Sequence, residues 1–422
     1  MQKITIQQFG PIEQVSLEIK DFILLIGPQA TGKSTIAKLI YFFKELYQNW
    51  GKMVLRVAQN QDDDDHSFKN RFEQALTNRF DNYFGYIDLE DNFEIQYEYN
   101  PSTFLQLGGG TVLKWAFSEN IRVLLEQNTP KTAQTVQNHE LKALETLFLE
   151  GEQRFMFVPA GRSALFSLTA QIQSLLAGSL LATETDSILD PITISFIQHW
   201  EVIKNRFPKN LKPPLRIQKK WDVLTQLSRT ILKGDYIFDG SRELLRTEGR
   251  KDILLKFASS GQQEAVRILE YLRGELWSNG KNRSTGAFVV IEEPEAHLYP
   301  TSQFEMVKAI SLFRNLTPKT QVILTTHSPY ILTALNIMLF AGETVAKYPE
   351  ARTSLESIIP TECWLDVANV SAYYVNEGKI QSIVERSNLI GANQLDDASD
   401  DIMDIFDAIM DVYKTHQSKK TA

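Results

Sequence analysis

Residues 27–34 read Gly-Pro-Gln-Ala-Thr-Gly-Lys-Ser, which is a complete G-x-x-x-x-G-K-[ST] sequence. The apolar run at 22–26 predicts a buried strand before it, and the run that begins at Thr35 predicts a helix after it. A strand, a glycine-rich loop and a helix in this order direct backbone N–H groups at a polyphosphate. A chance match is disfavoured because both flanking elements are present, so the sequence predicts a nucleoside triphosphate site.

The roles of the loop side chains follow from this geometry. Lys33 is expected to reach the β- and γ-phosphates, and the Ser34 hydroxyl is expected to bind Mg²⁺. The expected cofactors are therefore ATP and Mg²⁺. The residues of this region predicted to bind ATP are Gly27, Pro28, Gln29, Ala30, Thr31, Gly32, Lys33, Ser34 and Thr35.

Composition excludes several classes of protein. The 43% hydrophobic and 23% charged residues are typical of a globular chain, and 422 residues predict more than one lobe. No run of about 18 apolar residues predicts a membrane span. The sequence opens on a strand pattern rather than a signal peptide, so we expect a cytoplasmic protein. The single cysteine, Cys363, excludes an internal disulfide framework and a multi-cysteine zinc site.

The pattern along the chain predicts an α/β fold in three parts. Residues 1–115 contain the phosphate loop and an alternating strand pattern, and are predicted to form the N-terminal half of a nucleotide-binding head with an antiparallel β subdomain. Residues 116–252 are predicted to be a compact, mainly helical insertion. In residues 253–422 strand and helix patterns alternate, starting with a strand at Lys256-Phe257, which predicts a parallel sheet covered by helices.

Two acids follow the apolar strand pattern at 287–291. Neighbouring side chains of a strand point to opposite faces, so adjacent carboxylates can take separate roles. We assign Glu292 to the metal, together with Ser34, and Glu293 to activation of the attacking water. The alternative, a solvated strand end, is disfavoured because Pro294 follows.

His327 ends the next strand pattern, at the edge where ligands of open α/β sheets bind. We expect it to be catalytic with Glu293. A further turn, Ala258-Ser-Ser-Gly-Gln-Gln263, begins a helix whose N-terminus can donate to a phosphate. Here Ser259, Ser260, Gly261 and Gln262 are predicted to bind ATP; the alternative is a plain capping box formed by Ser260 and Gln263.

These four motifs in this order resemble the ATP-binding-cassette ATPases. Ala258 and Ser260 depart from the usual L-S-G-G-Q signature, and Glu292 stands where the family usually has aspartate. The closer resemblance is to SMC-like and overcoming-lysogenization-defect ATPases, through Ile-Glu-Glu-Pro-Glu-Ala-His-Leu-Tyr-Pro at 291–300 and Thr-His-Ser-Pro-Tyr at 326–330. It covers both ends of the chain and says little about 110–250.

The resemblance implies a homodimer or higher oligomer in which heads pair head to tail and sandwich each ATP. It also places Arg162 beside the γ-phosphate. In size and motif order the chain resembles stand-alone ATPase subunits of anti-phage defence systems such as PARIS or Septu. Roughly 95 residues follow His327, which leaves little room for a fused nuclease domain, so the resemblance implies an effector in trans, a nuclease or toxin.

Three other functions stay open at this point. The chain could be a sensor or scaffold that hydrolyses ATP slowly and sequesters an effector, or a DNA-repair ATPase of SMC type. A transporter ATPase subunit is disfavoured by the Glu-Pro-Glu-Ala-His sequence and by the long insertion.

The charge of the chain is uneven. Although the net charge is −8, residues 202–221 hold seven cations and no acid, which makes this basic stretch a candidate contact for nucleic acid or an acidic partner, with Trp221 as a residue that could stack on a base. A solvated surface loop is the alternative. The seven cations are Lys204, Arg206, Lys209, Lys212, Arg216, Lys219 and Lys220.

Overall fold

The computed structural model describes residues 2–59, 67–85, 92–110, 112–127, 148, 153–167, 190–206, 213–247, 249, 251–281, 285–385 and 387–391. An 11-stranded sheet runs through these residues. Its strands are β1 (Gln2–Phe9), β2 (Ile12–Ile19), β3 (Phe22–Ile26), β4 (Glu94–Asn100), β5 (Thr103–Gly108), β6 (Lys114–Phe117), β7 (Gln153–Val158), β11 (Gly286–Glu292), β12 (Gln321–Thr326), β13 (Val370–Asn376) and β14 (Lys379–Ser382). They are arranged in the order β6-β5-β4-β1-β2-β14-β13-β3-β12-β11-β7. A separate three-stranded sheet contains β8 (Asp235–Phe238), β9 (Glu243–Arg246) and β10 (Ile253–Leu254).

Helices cover both faces of the large sheet. In chain order they are α1 (Lys33–Gln59), α2 (Phe68–Phe84), α3 (Glu119–Gln127), α4 (Arg162–Ser167), α5 (Pro191–Arg206), α6 (Gln218–Leu232), α7 (Ser260–Lys281), α8 (Pro300–Arg314), α9 (Pro329–Lys347) and α10 (Arg352–Glu356).

The sheet has a parallel half and a mostly antiparallel half. Strands β7, β11, β12, β3 and β13 are parallel neighbours, whereas β1, β2, β4, β5 and β6 pair antiparallel. This confirms the predicted α/β fold with a β subdomain. In the parallel half, alternate residues of β3 enter two different cores, with Leu24 facing one and Ile23 the other. Burial on both faces explains why the strand is apolar without alternation.

Three features of the middle of the chain differ from the sequence interpretation. Lys256-Phe257 is not a strand, because Leu255–Phe257 forms a 3₁₀ turn after the two-residue strand β10. Residues 116–252 are not purely an insertion, since β7 lies within them and pairs with β11 in the large sheet. The same interval also contributes the antiparallel pair β8 and β9. Helix patterns dominate in residues 116–252, but such local patterns do not predict which distant strands will pair.

Strands β13 and β14 form a tight hairpin. Strands β13 and β14 are joined by Glu377 and Gly378, which both adopt positive φ angles, of 47° and 72°. This left-handed pair suits the twist of a two-residue hairpin.

One described helix, α9, is long and apolar enough by length and composition to cross a membrane. Its buried face includes Ile331, Leu335 and Met338, which belong to one of the two cores. Apolar core helices pass the same composition test.

Candidate nucleotide-binding site

The polar motifs of the sequence meet at one edge of the sheet. Parallel strands bring their carboxyl ends together, and four adjacent strands here end in the phosphate loop (β3), His327 (β12), the Glu292-Glu293 pair (β11) and Arg162 (β7). The sequence predicted the phosphate loop, the two acids and His327 separately at strand ends, and the strand order makes them neighbours.

The phosphate loop is packed against the β13–β14 hairpin and the β1–β2 turn. Gly27 has a φ of 151°, and a Cβ at this position would lie 2.1 Å from the carbonyl oxygen of Val375. Gly32 has a φ of 100°, and its Cβ would lie 3.0 Å from Ile12. Both positions therefore require glycine, for backbone conformation and for close approach.

Lys33 lies over its own loop. Its Nζ donates to the carbonyl of Gly27 at 2.9 Å and also to the carbonyl of Pro28. Burial lowers the pKa of Lys33 to about 8, although the nearby carboxylates of Glu293 and Glu295 act in the opposite direction. The first turn of α1 thus holds a cation whose pKa is affected by Glu293 and Glu295. Ser34 beside it is exposed.

Glu292 is 6% exposed. Its Oε2 accepts a hydrogen bond from the Ala160 N–H at 3.1 Å. Its Oε1 is buried and finds no hydrogen-bond partner within the described parts of the chain. A buried carboxylate oxygen with no donor is suited to a cation.

Glu293 leaves the strand in a left-handed conformation with a φ of 43°. Its N–H donates to the carbonyl of Thr325 at 2.9 Å, and its Oε1 lies 3.3 Å from the Nε2 of His327. Both side chains are partly exposed, at 38% and 29%. The structure therefore brings the two predicted catalytic residues into contact, and places the Glu292 and Glu293 carboxylates in different environments.

Glu295 is a further residue of the site, and its role was not predicted from the sequence. Its Oε1 accepts hydrogen bonds from the Thr326 hydroxyl at 2.6 Å and from the His327 N–H at 2.9 Å. It thereby fixes the backbone of the segment that carries His327. The one feature of the sequence that could have indicated a role for Glu295 is its place in the Glu-Glu-Pro-Glu sequence.

Arg162 lies behind the two acids rather than in the open site. It is 0% exposed, and its guanidinium donates to the carbonyls of Pro159 and Glu292, both at 2.7 Å, and of Glu293 at 3.0 Å. Burial lowers the pKa of Arg162, against the effect of Glu264 and the site carboxylates. Direct contact between Arg162 and a γ-phosphate stays a prediction.

The signature turn, defined as residues 258–261, begins α7. The capping box is formed by Ser259 and Gln262, not by Ser260 and Gln263: the Ser259 N–H and hydroxyl donate to Gln262 Oε1 at 3.1 and 3.0 Å. This leaves Ser259 and Ser260 exposed. A Cβ on Gly261 would lie 2.4 Å from the carbonyl oxygen of His297, so the turn packs directly against the segment after the two acids.

Magnesium fits the residues present. The described residues contain no group of three or more metal-ligating side chains. Mg²⁺ does not need one, because it is usually held by one or two protein oxygens together with waters and substrate phosphates. Ser34 and Glu292 are the side chains that would supply those oxygens.

In the basic stretch, the four cations whose side chains are described are bonded to the chain itself. Lys204 pairs with Glu201, and Arg216 donates to the carbonyl of Asn279. The other two bind residues far along the chain. Lys219 pairs with Glu356 at 2.7 Å and with Glu362 at 3.0 Å, and Lys220 donates to the carbonyl of Asn315 at 2.8 Å. The indole of Trp221 packs on Trp277. Lys209, Lys212 and the Arg206 side chain lie outside the described residues.

Comparison with known proteins identifies the family of the chain. The family model described as "AAA domain, putative AbiEii toxin, Type IV TA system" matches residues 22–333, well over half of the chain, and includes every motif named above. Septu protein PtuA of Bacillus thuringiensis is 29% identical over 101 residues, which covers 22% of this chain and 25% of PtuA. The match thus spans about a quarter of that relative's length.

Two solved structures align along most of the chain at low similarity. A SmcHead bound to the C-winged helix domain of ScpA aligns over 91% of this chain and 98% of its own, with 12% identity and a TM-score of 0.40. The SMC head domain from Thermotoga maritima aligns over 90% and 97%, with 10% identity and a TM-score of 0.35.

Proposed function

The chain belongs to this AAA-domain family, and from that premise we propose that it is an Mg²⁺-dependent ATPase whose oligomer controls an effector protein in anti-phage defence. One observation carries the enzymatic part. The phosphate loop, the Glu292-Glu293 pair and His327 meet at one sheet edge, with Glu293 and His327 3.3 Å apart.

The chemistry assigned to each residue follows from its surroundings. Lys33 and the loop N–H groups bind the phosphates, while Ser34 and Glu292 would hold a magnesium ion, which would neutralise phosphate charge. Glu293, the more exposed acid, orients and deprotonates the attacking water, and His327 contacts the same carboxylate. Glu295 keeps the His327 backbone in place.

The proposal of an oligomer rests on the fact that the signature turn is exposed. Ser259 and Ser260 stand at the exposed start of α7, where helix N–H groups can receive the phosphate of a nucleotide bound by a second copy. The proposal of a defence role and of an effector in trans, a nuclease or toxin, rests on the partial likeness to Septu protein PtuA and on the family description.

The test is to purify the full chain and measure phosphate release from ATP with Mg²⁺ and with EDTA, while light scattering gives the mass with and without ATP. We expect Mg²⁺-dependent release and an ATP-dependent increase in mass. A chain that binds ATP without release would favour the sensor or scaffold alternative. Purification together with the product of the neighbouring reading frame, followed by a nuclease assay, tests effector control.

A further inference from the structure

A buried ion pair joins the helix that begins at the signature turn to the nucleotide edge of the sheet. The Nε of Arg162 lies 2.8 Å from Oε2 of Glu264, and the two side chains are 0% and 2% exposed. Glu264 stands just over one turn into α7, and its Oε1 accepts a hydrogen bond from the Ser163 N–H at 2.8 Å. One carboxylate therefore ties α7 to the start of α4.

The other end of the same guanidinium holds the catalytic segment. Its Nη1 and Nη2 donate to the carbonyls of Glu292 and Glu293, which belong to the two peptide groups on either side of the Glu293 Cα. A non-glycine residue in the left-handed region is strained unless its surroundings fix it. Arg162 supplies that support, so the position of Glu293 depends on the position of Arg162.

We propose that Arg162 and Glu264 are positioning residues that couple the signature turn of one subunit to the Glu293 carboxylate of the same subunit. Engagement of the signature turn by the nucleotide of a second copy then changes hydrolysis at the subunit's own site. The inference rests on the proposed head-to-tail ATPase. Two apolar side chains would join α4 and α7 about as well as a buried ion pair does, but they could not hold the two carbonyls.

A second ion pair provides a matched control. The Nε of Arg154 lies 2.6 Å from Oε2 of Glu275, so this pair also joins the β7 region to α7. Its guanidinium contacts Thr285 at 2.7 Å instead of the catalytic segment. Loss of this pair removes a similar connection without touching the carbonyls of Glu292 and Glu293.

The experiment compares Glu264→Gln with Glu275→Gln in the full chain, with ATP affinity and phosphate release measured over a range of ATP concentrations. For Glu264→Gln we expect kcat to fall about tenfold, ATP affinity to change less than about threefold, and any sigmoidal dependence on ATP to become hyperbolic. For Glu275→Gln we expect kcat, affinity and curve shape close to those of the wild type. Thermal unfolding reports the folded state of each variant.

A double variant guards against loss of folding. Arg162→Met combined with Glu264→Met removes both charges at once, so neither member of the pair is left as an unpaired buried charge. We expect it to fold and bind ATP but to show the same loss of kcat. A wild-type chain with no phosphate release would overturn the proposed function and this inference together. A hydrolysing wild type overturns the inference alone if Glu264→Gln behaves like Glu275→Gln, or if the double variant keeps wild-type kcat.

Discussion

The nucleotide edge of the sheet and the basic stretch both concentrate charge, but they use it differently. At the nucleotide edge, Oε1 of Glu292 and Oε2 of Glu295 are buried without a hydrogen-bond partner in the described regions, and the carboxylates of Glu293 and Glu295 act on the pKa of the nearby Lys33 ammonium. In the basic stretch, by contrast, Lys219 and Lys220 are both bonded to groups of the same chain. A cluster of charged residues indicates a ligand site where the fold leaves some of their polar atoms without partners. It indicates a structural role where the fold pairs these atoms with groups of the same chain.

The largest effect is expected at Lys33. Lys33→Ala removes the loop ammonium that we propose binds the β- and γ-phosphates, so ATP affinity should fall about 100-fold or more. A titration with labelled ATP measures this, with Lys38→Ala on the same helix as control. Unchanged affinity in Lys33→Ala would remove the basis for the nucleotide site.

Glu293→Gln tests the division of roles between the two acids. Loss of the general base should slow hydrolysis by a factor on the order of 10²–10⁴, while ATP binding and ATP-dependent assembly persist. Phosphate release and mass measurement check both parts. If Glu292→Gln instead gives the stable ATP-bound form and Glu293→Gln stays active, the two roles are reversed.

A mixture of two inactive variants tests the shared site. Ser260→Glu is preferable to Gly261→Asp, because Ser260 is exposed whereas a side chain at Gly261 would collide with His297. Each mixed dimer of Lys33→Ala and Ser260→Glu keeps one intact composite site, so an equal mixture should recover about a quarter of wild-type hydrolysis. Absence of recovery, with mixed dimers shown to form, would contradict the head-to-tail arrangement.

The smallest effect is expected in the basic stretch. Reversal of Lys212, Arg216, Lys219 and Lys220 to Glu should leave basal hydrolysis intact, because these residues lie outside the nucleotide motifs. Since the described members of this set already have partners in the chain, we expect the salt dependence of any DNA binding to stay unaltered. A flatter dependence in this variant would restore the nucleic-acid interpretation.

Local patterns predicted the elements of the site better than the contacts among them. The strands before the phosphate loop and before His327 were predicted correctly because their apolar runs are contiguous and bounded by turn residues. The assignment of 116–252 to an insertion did not anticipate that β7 joins the large sheet, since membership of a sheet depends on a partner strand far away in the chain. The cap of α7 moved by one residue because Ser259 and Ser260 are equally good N-caps in sequence.

The sequence by itself determined that this chain contains a strand–loop–helix unit with a phosphate-binding sequence, and that two acids and a histidine end two successive strands. These motifs are contiguous, so their chemistry depends on local backbone geometry. Only the tertiary structure decided how they are held. Arg162 meets the Glu292 carbonyl across 130 positions, and Glu295 meets Thr326 across 31. Contacts over such separations are set by strand order and helix packing, which no local period of the sequence records.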